Sequence, residues 1–271
     1  MTKVAAIQMV STPEVERNLT EAENLIGQAA AEGAEFALLP EYFSIMGNED
    51  TDKLQYQEPL GNGPLQSFLA SQAKQHGLWL MGGTIPLESG DKNHVLSGCL
   101  LFNPGGECVA TYKKIHLFDV NVDSKTGESY QESNTIMPGN DIVVAETPFG
   151  NIGMSVCYDL RFPELYRRML DKNISIITVP SAFTETTGRR HWEILLRTRA
   201  VENLCYVIAS NQGGQNTETR MTWGHSMIVD PWGDILSRME KGPGVVCADI
   251  DPARVQEIRR NFPAIEHRKF K

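Results

Sequence analysis

The hydrophobic positions along the chain alternate between two patterns, and each pattern predicts a different backbone. Short apolar runs, often with β-branched residues, are typical of strands, whereas apolar residues spaced by three and four predict amphipathic helices. By this criterion helices are expected at residues 13–31, 64–76, 163–171, 191–203 and 252–261. Strands are expected at residues 3–10, 35–39, 78–84, 95–102, 107–113, 142–146, 151–156, 174–179, 205–210, 223–229, 234–238 and 245–250.

The regular alternation of these strands and helices predicts an α/β fold. About a dozen strands would make one sheet unusually wide, so we expect two stacked mixed sheets covered by helices. No linker-like stretch divides the 271 residues, which indicates a single domain over residues 1–271. Residues 116–139 show little periodicity and are expected to form a long functional loop.

Charge and hydropathy exclude several classes of partner. The chain has 34 acidic and 25 basic residues and a formal net charge of −9, whereas a nucleic-acid binder needs a basic surface. No stretch approaches the ~20 apolar residues that cross a bilayer, and the first residues lack the pattern of a secretory signal. We therefore expect a cytoplasmic protein that binds neither nucleic acid nor membrane.

The cysteines suggest chemistry at one position only. There are five, an odd number, with no C-x-x-C spacing, so neither a disulfide framework nor a zinc site is indicated. Four of them lie in apolar strands and are expected to be buried core thiols: Cys99, Cys108, Cys205 and Cys247. Cys157 differs, because polar residues follow it directly and a helix is expected to begin at Pro163.

Three reactive side chains follow predicted strands: Glu41, Lys114 and Cys157. Strand ends are where α/β sheets place their functional sites. A free thiol is mostly protonated at neutral pH, so a nucleophilic cysteine needs a base or a neighbouring cation. Each residue alone also has a structural interpretation, as a core thiol, a capping carboxylate or a solvated lysine. The catalytic interpretation requires all three together.

Three segments around these residues resemble the signature segments of the nitrilase, or carbon–nitrogen hydrolase, superfamily. They are residues 40–43 (PEYF), 114–119 (KIHLFD) and 157–165 (CYDLRFPEL), in the family's order. The resemblance implies a four-layer αββα sandwich that usually forms a dimer, so a homodimer is expected. It also implies a general base at Glu41, an oxyanion-stabilising ammonium at Lys114 and a nucleophile at Cys157, with no metal or organic cofactor.

The same resemblance implies two supporting groups. Glu132 falls where the family carries a second glutamate beside the lysine, although a surface glutamate is the structural alternative. The backbone N–H of Tyr158 is expected to join Lys114 in stabilising the oxyanion. We expect Cys157→Ala, Glu41→Gln and Lys114→Ala each to remove activity without unfolding the protein.

Further segments resemble the Nit-type branch of the superfamily, among them residues 132–139, 180–183 and 223–233. Members of that branch remove an ω-amide from a small 2-oxo acid, so the expected reaction cleaves this C–N bond through a cysteine thioester. The expected substrate is deaminated glutathione, and α-ketoglutaramate is the alternative. Arg190 and Thr198 depart from the pattern of the branch, and a pocket rim changed by them would shift substrate choice.

Substrate contacts are expected from four residues: Tyr42, Arg161, Phe183 and Thr184. Arg161 leads this group because a guanidinium pairs with a carboxylate through two hydrogen bonds. A salt bridge to Asp159 or Glu164 is its structural alternative. Arg199 and Glu202 are expected to form a structural ion pair.

Other functions fit the sequence less well. The segment Gly224–Ile228 lacks the second glycine of the G-x-S-x-G elbow, which disfavours a serine hydrolase. The chain has neither H-E-x-x-H nor a phosphate-binding glycine loop. A glutaminase subunit would need a partner synthetase domain, which is not present. The alternative from another class is a non-catalytic scaffold, and the presence of all three reactive residues argues against it.

Overall fold

The computed structural model describes residues 1–123 and 128–270, and within them it contains five α-helices, three short 3₁₀ helices and sixteen strands. The helices are α1 (Val15–Ala31), α2 (Pro64–His76), α3 (Pro163–Leu170), α4 (Glu185–Asn203) and α5 (Pro252–Asn261). The first eight strands are β1 (Thr2–Gln8), β2 (Phe36–Leu38), β3 (Trp79–Met81), β4 (Ile85–Glu88), β5 (Val95–Phe102), β6 (Cys108–Lys113), β7 (Asp119–Asp123) and β8 (Glu128–Gln131). The others are β9 (Ile136–Met137), β10 (Val144–Ala145), β11 (Ile152–Met154), β12 (Ile176–Ser181), β13 (Tyr206–Asn211), β14 (Met227–Val229), β15 (Ile235–Arg238) and β16 (Gly244–Ile250).

Two mixed sheets contain all of these strands except the hairpin formed by β7 and β8. The first sheet has the order β16-β1-β2-β3-β5-β4, with β6 and β9 also paired to β5. The second sheet has the order β10-β11-β12-β13-β14-β15. Each contains a parallel core, β1-β2-β3 in the first and β11-β12-β13 in the second, flanked by antiparallel pairs. The predicted pair of mixed sheets is confirmed.

The faces of strand β1 show how the layers are stacked. Val4 and Ala6 point into the core between the two sheets, whereas Ala5 and Ile7 point into the core beneath α1 and α2. A strand buried on both faces is apolar at nearly every position, which accounts for the apolar run at the N-terminus. Helices α3 and α4 cover the outer face of the second sheet. The result is the expected αββα arrangement.

Two predictions about local structure were wrong. Residues 116–139 do not form one long loop, because β7, β8 and β9 lie within the described part of this segment. The β7–β8 hairpin has no buried side chain among its described residues, and its alternating apolar positions, Val120, Val122 and Tyr130, are too few to indicate two strands. Helix α4 begins at Glu185 rather than at residue 191. Its first turns are polar and contain Gly188, so they show no hydrophobic pattern that predicts a helix. Strand β4 was not predicted.

Two of the four expected core thiols are not buried. Cys99 and Cys205 are buried, but Cys108 is exposed and Cys247 is partly exposed. Cys108 begins β6 at the exposed end of that strand. Cys247 lies on β16, which ends the order of the first sheet. Among the described helices none is both long and apolar enough to cross a membrane.

Candidate active site

The ends of three strands bring the three reactive side chains to one pocket. Glu41 follows β2 and Lys114 follows β6, both in the first sheet, whereas Cys157 follows β11 in the second sheet. All three line the same cavity between the ends of the sheets. Residues that are 73 positions apart in sequence, Glu41 and Lys114, are thereby in direct contact.

The centre of the pocket is a buried ion cluster. The Lys114 Nζ lies 2.8 Å from Glu41 Oε1, and it lies 2.7 Å and 2.8 Å from the two carboxylate oxygens of Glu132. Lys114 and Glu41 are each only 1% exposed, and Glu132 is 8% exposed. A buried charge is tolerated when an opposite charge and hydrogen bonds compensate for lost water. Here one ammonium is shared by two carboxylates.

Glu132 is held as a carboxylate by several donors. Besides Lys114, the hydroxyl of Tyr42 donates to its Oε1 over 2.7 Å and the backbone N–H of Phe118 donates to its Oε2 over 2.7 Å. Burial alone would raise the pKa of Glu132, but Lys114 and these donors outweigh burial and lower the pKa below its usual value. Glu132 therefore orients the lysine and keeps its negative charge.

Burial favours the protonated forms of Glu41 and Cys157. Burial raises the pKa of Glu41, despite the opposing effect of Lys114. Burial and the nearby Glu41 carboxylate raise the pKa of the Cys157 thiol well above its usual value. For Lys114, burial disfavours the ammonium, yet Glu132 and Glu41 outweigh burial and raise its pKa. The resting site thus holds a charged lysine and a neutral thiol next to a carboxyl group that binds protons more tightly than usual.

Cys157 stands on a sharp turn. Its φ angle is +48°, in the left-handed region that non-glycine residues rarely occupy. The turn spans Cys157–Arg161 and leads directly into α3. Strain of this kind persists only where the surrounding structure holds it in place. The turn projects the sulfur from the end of β11 into the pocket.

Asp159 connects this turn to the segment that carries the lysine. It is fully buried, and its carboxylate accepts hydrogen bonds from the backbone N–H of Val156 over 2.8 Å and from the Tyr112 hydroxyl over 2.7 Å. It also accepts the backbone N–H of His116 over 3.1 Å and lies 2.7 Å from His116 Nδ1. Tyr112 and His116 flank Lys114 in the chain. Asp159 therefore fixes the position of Cys157 relative to the ammonium of Lys114.

The Glu41 segment is held by close backbone packing. Gln212 donates from Nε2 to the carbonyl of Glu41 over 3.0 Å, and the backbone N–H of Tyr42 donates to Thr84 Oγ1 over 2.9 Å. Gly83, with a φ angle of +51°, allows the chain to pass against Pro40. A Cβ at Gly83 would lie 2.0 Å from the Pro40 carbonyl oxygen, so no larger residue fits there.

The four residues from which substrate contacts are expected all line the pocket, which has about 520 Å³ of empty space. The Arg161 guanidinium lies 5.7 Å from the ring centre of Tyr158 and 5.3 Å from that of Phe183. Its NH1 is 3.2 Å from His191 Nδ1. Within the described residues Arg161 forms no salt bridge with Asp159 or Glu164, so its structural alternative is wrong.

The expected structural ion pair of α4 is present. Arg199 NH1 lies 2.8 Å from Glu202 Oε1. The same guanidinium donates to the carbonyl of Leu160 from Nε over 3.0 Å and from NH2 over 2.7 Å. Arg199 therefore supports the turn after Cys157 from behind rather than lining the pocket.

The carbon–nitrogen hydrolase family model matches residues 3–260 of the chain. The chain belongs to the carbon–nitrogen hydrolase family. It is similar to a deaminated glutathione amidase from Synechocystis, with 43% identity over 98% of this chain and 97% of the relative. An omega-amidase from Danio rerio is 36% identical over 98% of this chain and 94% of the relative. A Saccharomyces cerevisiae member of branch 10 of the nitrilase superfamily aligns with a TM-score of 0.88 and 30% identity, over 99% of this chain and 97% of that one.

The structure of this carbon–nitrogen hydrolase adds pocket residues that the sequence did not indicate. They are Asp50, Lys53, Phe118, Tyr130, Gln131, Ala182, Thr187 and Arg220. Arg220 lies in a polar segment between β13 and β14 with no hydrophobic periodicity, and only the folded chain brings it to Tyr42. A single sequence offers no local signal for such a residue.

A metal centre finds no support in the geometry of the hydrolase. Among the described residues, no three or more His, Cys, Asp or Glu side chains converge in a way that could hold a metal ion. Glu41 and Glu132 are instead paired with the ammonium of Lys114.

Proposed function

We propose that this hydrolase cleaves the amide bond of deaminated glutathione, with Cys157 as nucleophile. The observation that carries the chemistry is that Cys157 lines the same pocket as the buried ion cluster of Lys114, Glu41 and Glu132. The substrate is supported by the relatives, because the Synechocystis protein of 43% identity is named for this reaction. The partly exposed arginine at position 161 suits an anionic amide.

The reaction begins with a proton transfer from the Cys157 thiol to Glu41, and the resulting thiolate attacks the amide carbonyl. Lys114 and the Tyr158 backbone N–H stabilise the negative oxygen, and one such donor contributes ~3–4 kcal/mol. Protonation of Glu41 weakens its ion pair with Lys114, which allows one N–H of the ammonium to turn toward the oxyanion. Glu132 keeps its charge throughout and holds the lysine in place.

The second half of the reaction regenerates the thiol. Glu41 returns its proton to the departing amine nitrogen, the C–N bond breaks, and an acyl thioester remains on Cys157. Glu41 then removes a proton from water, and the hydroxide attacks the thioester. As the C–S bond breaks, Glu41 returns this proton to the Cys157 sulfur, and the acid product leaves as a carboxylate. With deaminated glutathione the products are 2-oxoglutarate and cysteinylglycine.

The proposal is tested by turnover of purified protein with deaminated glutathione, α-ketoglutaramate and simple primary amides. We expect the highest kcat/KM for deaminated glutathione. A higher kcat/KM for α-ketoglutaramate would make the protein an ω-amidase, the activity named for the Danio rerio relative of 36% identity. Absence of turnover with every amide would favour the non-catalytic scaffold.

The role of the thiol is tested by Cys157→Ala, which should reduce turnover by about 10⁴-fold or more without lowering the melting temperature. The matched control is Cys108→Ala, because Cys108 is exposed and lies outside the pocket. This control should keep full activity. Substantial turnover by Cys157→Ala refutes the assignment of the nucleophile.

We also propose that the hydrolase is a homodimer that pairs through α4. Ile194 and Val201 are 65% and 48% exposed and lie two turns apart on one face of this helix, beside Trp232, which is 54% exposed. Ile194→Glu should convert the dimer to a monomer in light scattering, whereas Leu60→Glu, at an exposed residue elsewhere, should not. A wild-type monomer contradicts this proposal. The cytoplasmic location and the single-domain organisation stay predictions.

A further inference from the structure

The pocket contains a second cationic group, Arg220, away from the ion cluster of Lys114, Glu41 and Glu132. Arg220 lies with its guanidinium 5.4 Å from the ring centre of Tyr42 and 5.8 Å from that of Tyr130. Within the part of the chain that the structure describes, Arg220 forms no ion pair, and its buried Nε has no hydrogen-bond partner. A guanidinium between two aromatic rings keeps its edge free for an oxyanion.

The backbone around Arg220 is fixed by a tight turn. The N–H of Arg220 donates to Thr217 Oγ1 over 3.1 Å, and its carbonyl accepts the backbone N–H groups of Asn216 and Thr217 over 3.0 Å and 3.3 Å. The side chain of Asn216 is buried and donates to the carbonyl of Ser11 over 3.0 Å, which ties the turn to the first sheet's N-terminal segment. The position of the cation is therefore defined before any ligand binds.

Arg220 stands where the catalytic pocket opens into an outer groove. It lines both spaces, together with Asp50 and Tyr130. Arg161, in contrast, lies against Tyr158, the residue next to the nucleophile. Both arginines thus lie at the rim of the same pocket, Arg161 beside Tyr158 and Arg220 where the outer groove begins.

The two lysines of the pocket already have partners within the protein, so the two arginines are the cations available for a ligand. Lys114 is neutralised by Glu41 and Glu132. Lys53 donates from Nζ to the carbonyl of Asp50 over 2.6 Å and to Thr135 Oγ1 over 2.8 Å. A substrate with two separated carboxylates would meet one arginine with each.

The acidic groups of the outer groove limit how far an anion can extend. These groups are Glu49, Asp50, Glu128 and Glu185. Glu185 is paired with Arg189 and Lys241, and Glu128 accepts the hydroxyl of Thr186. Because the groove beyond Arg220 is acidic, a carboxylate that leaves the catalytic centre is favoured at Arg220 and disfavoured further out.

We propose that Arg220 binds the carboxylate at the far end of the leaving group, so that it selects amides whose amine is a short peptide over amides that release ammonia. The inference rests on the proposed function, because it assumes that the acyl group is a 2-oxo acid held near Arg161. A dipeptide leaving group spans ~7 Å when extended, so its terminal carboxylate lies well away from the scissile bond. The α-ketoglutaramate molecule has no second carboxylate and gains nothing from Arg220.

The first test compares kcat/KM for deaminated glutathione and α-ketoglutaramate in wild type and Arg220→Gln. The ratio of the two values should fall about ten- to hundredfold in the variant, mainly through KM for deaminated glutathione. Arg220→Lys should restore part of the ratio, since it restores the charge but not the paired donors. The control Arg254→Gln removes one exposed arginine of α5, outside the pocket, and should leave the ratio as in wild type. An unchanged ratio in Arg220→Gln overturns the proposal.

The second test measures binding without turnover. Deaminated glutathione and its C-terminal amide, which lacks only the terminal carboxylate, are titrated by calorimetry into Cys157→Ala protein. The free acid should bind about tenfold or more tightly than the amide, and Arg220→Gln should abolish this preference. Equal binding of the two ligands, a preference that survives Arg220→Gln, or no binding of either ligand overturns the proposal. If wild type fails to hydrolyse deaminated glutathione but the preference is found, only the proposed reaction has failed.

Discussion

Two regions of the same pocket differ in whether their cationic side chains are paired with acidic ones. At its floor, Lys114 is shared by Glu41 and Glu132, and these three side chains are at most 8% exposed. At its rim, Arg161 and Arg220 are partly exposed and rest on aromatic rings, and among the described residues no acidic side chain pairs with them. At the floor, the positive charge of Lys114 is compensated without a ligand. At the rim, the charges of the two arginines are not.

This difference follows from the cost of removing a charge from water. A fully buried ammonium without partners would be strongly disfavoured, so the floor must carry its own counter-ions. A partly exposed guanidinium keeps some hydration and can remain unpaired until an anion arrives. We infer that the floor performs chemistry common to many amides, and that the rim decides which amide is held there.

The largest effect is expected from removing the cation of the floor. Lys114→Met leaves two buried carboxylates facing each other, so the free energy of unfolding should fall by ~3–5 kcal/mol and turnover should be lost. Without the cation the pKa of each carboxyl rises above its unfolded value, so the variant regains stability as pH falls and loses it as pH rises. Urea unfolding at several pH values measures both effects.

This outcome would revise the expectation from sequence that replacing Lys114 leaves folding unharmed. The matched control is Lys92→Met, because Lys92 is exposed on a turn. Its free energy of unfolding should change by less than about 1 kcal/mol. If Lys114→Met is no less stable than Lys92→Met, then the floor is not the compensated cluster described above.

A smaller effect is expected at the connection behind the floor. Asp159→Asn keeps the shape of the side chain but places an amide NH₂ among groups that now donate to a carboxylate. We expect kcat to fall about 10- to 100-fold with little change in KM, because the nucleophile shifts relative to Lys114. The rate of Cys157 alkylation and its pH dependence should change as well. Asp171→Asn, which alters an exposed carboxylate, provides the control. A kcat of Asp159→Asn within twofold of wild type contradicts a positioning role for Asp159.

The pH dependence of the reaction separates the two carboxylates of the floor. Burial raises the pKa of Glu41 above its usual 4.5, whereas the pKa of Glu132 is lowered. Since Glu41 must be ionised to accept the thiol proton, kcat/KM should fall about tenfold per pH unit as pH decreases below this raised pKa. A pH–rate profile, with circular dichroism to confirm folding, locates the midpoint. A midpoint at or below 4.5 would contradict the raised pKa of Glu41.

The floor was accessible from sequence, whereas of the two arginines at the rim only Arg161 was, for a physical reason. Glu41, Lys114 and Cys157 each follow an apolar strand, and strand ends are where such folds place functional groups. Glu132 was expected only from the family resemblance. Arg220 lies in a polar turn whose relation to Tyr42 depends on long-range packing, which no local pattern records.

The secondary structure divides in the same way. Helices α2 and α5 and strand β5 begin and end at the predicted residues, because each is amphipathic or buried along its whole length. The β7–β8 hairpin escaped prediction because its two strands are short and contain only three apolar or aromatic side chains, at Val120, Val122 and Tyr130. Segments that pack against the core reveal themselves through hydrophobic periodicity, whereas segments that shape the rim of the pocket do not.

The smallest effect should come from Tyr42, which touches both regions. Its hydroxyl donates to Glu132 over 2.7 Å, and its ring supports Arg220. Tyr42→Phe removes the first contact and preserves the second, so the free energy of unfolding should fall by ~1–2 kcal/mol and kcat by less than about tenfold. Tyr56→Phe, at a partly buried tyrosine outside the pocket, is the control. Because the rim is untouched, the ratio of kcat/KM for deaminated glutathione and α-ketoglutaramate should stay at its wild-type value. A changed ratio would mean that the hydrogen bonds of the floor also set substrate choice, and the two regions would then have to be treated as one.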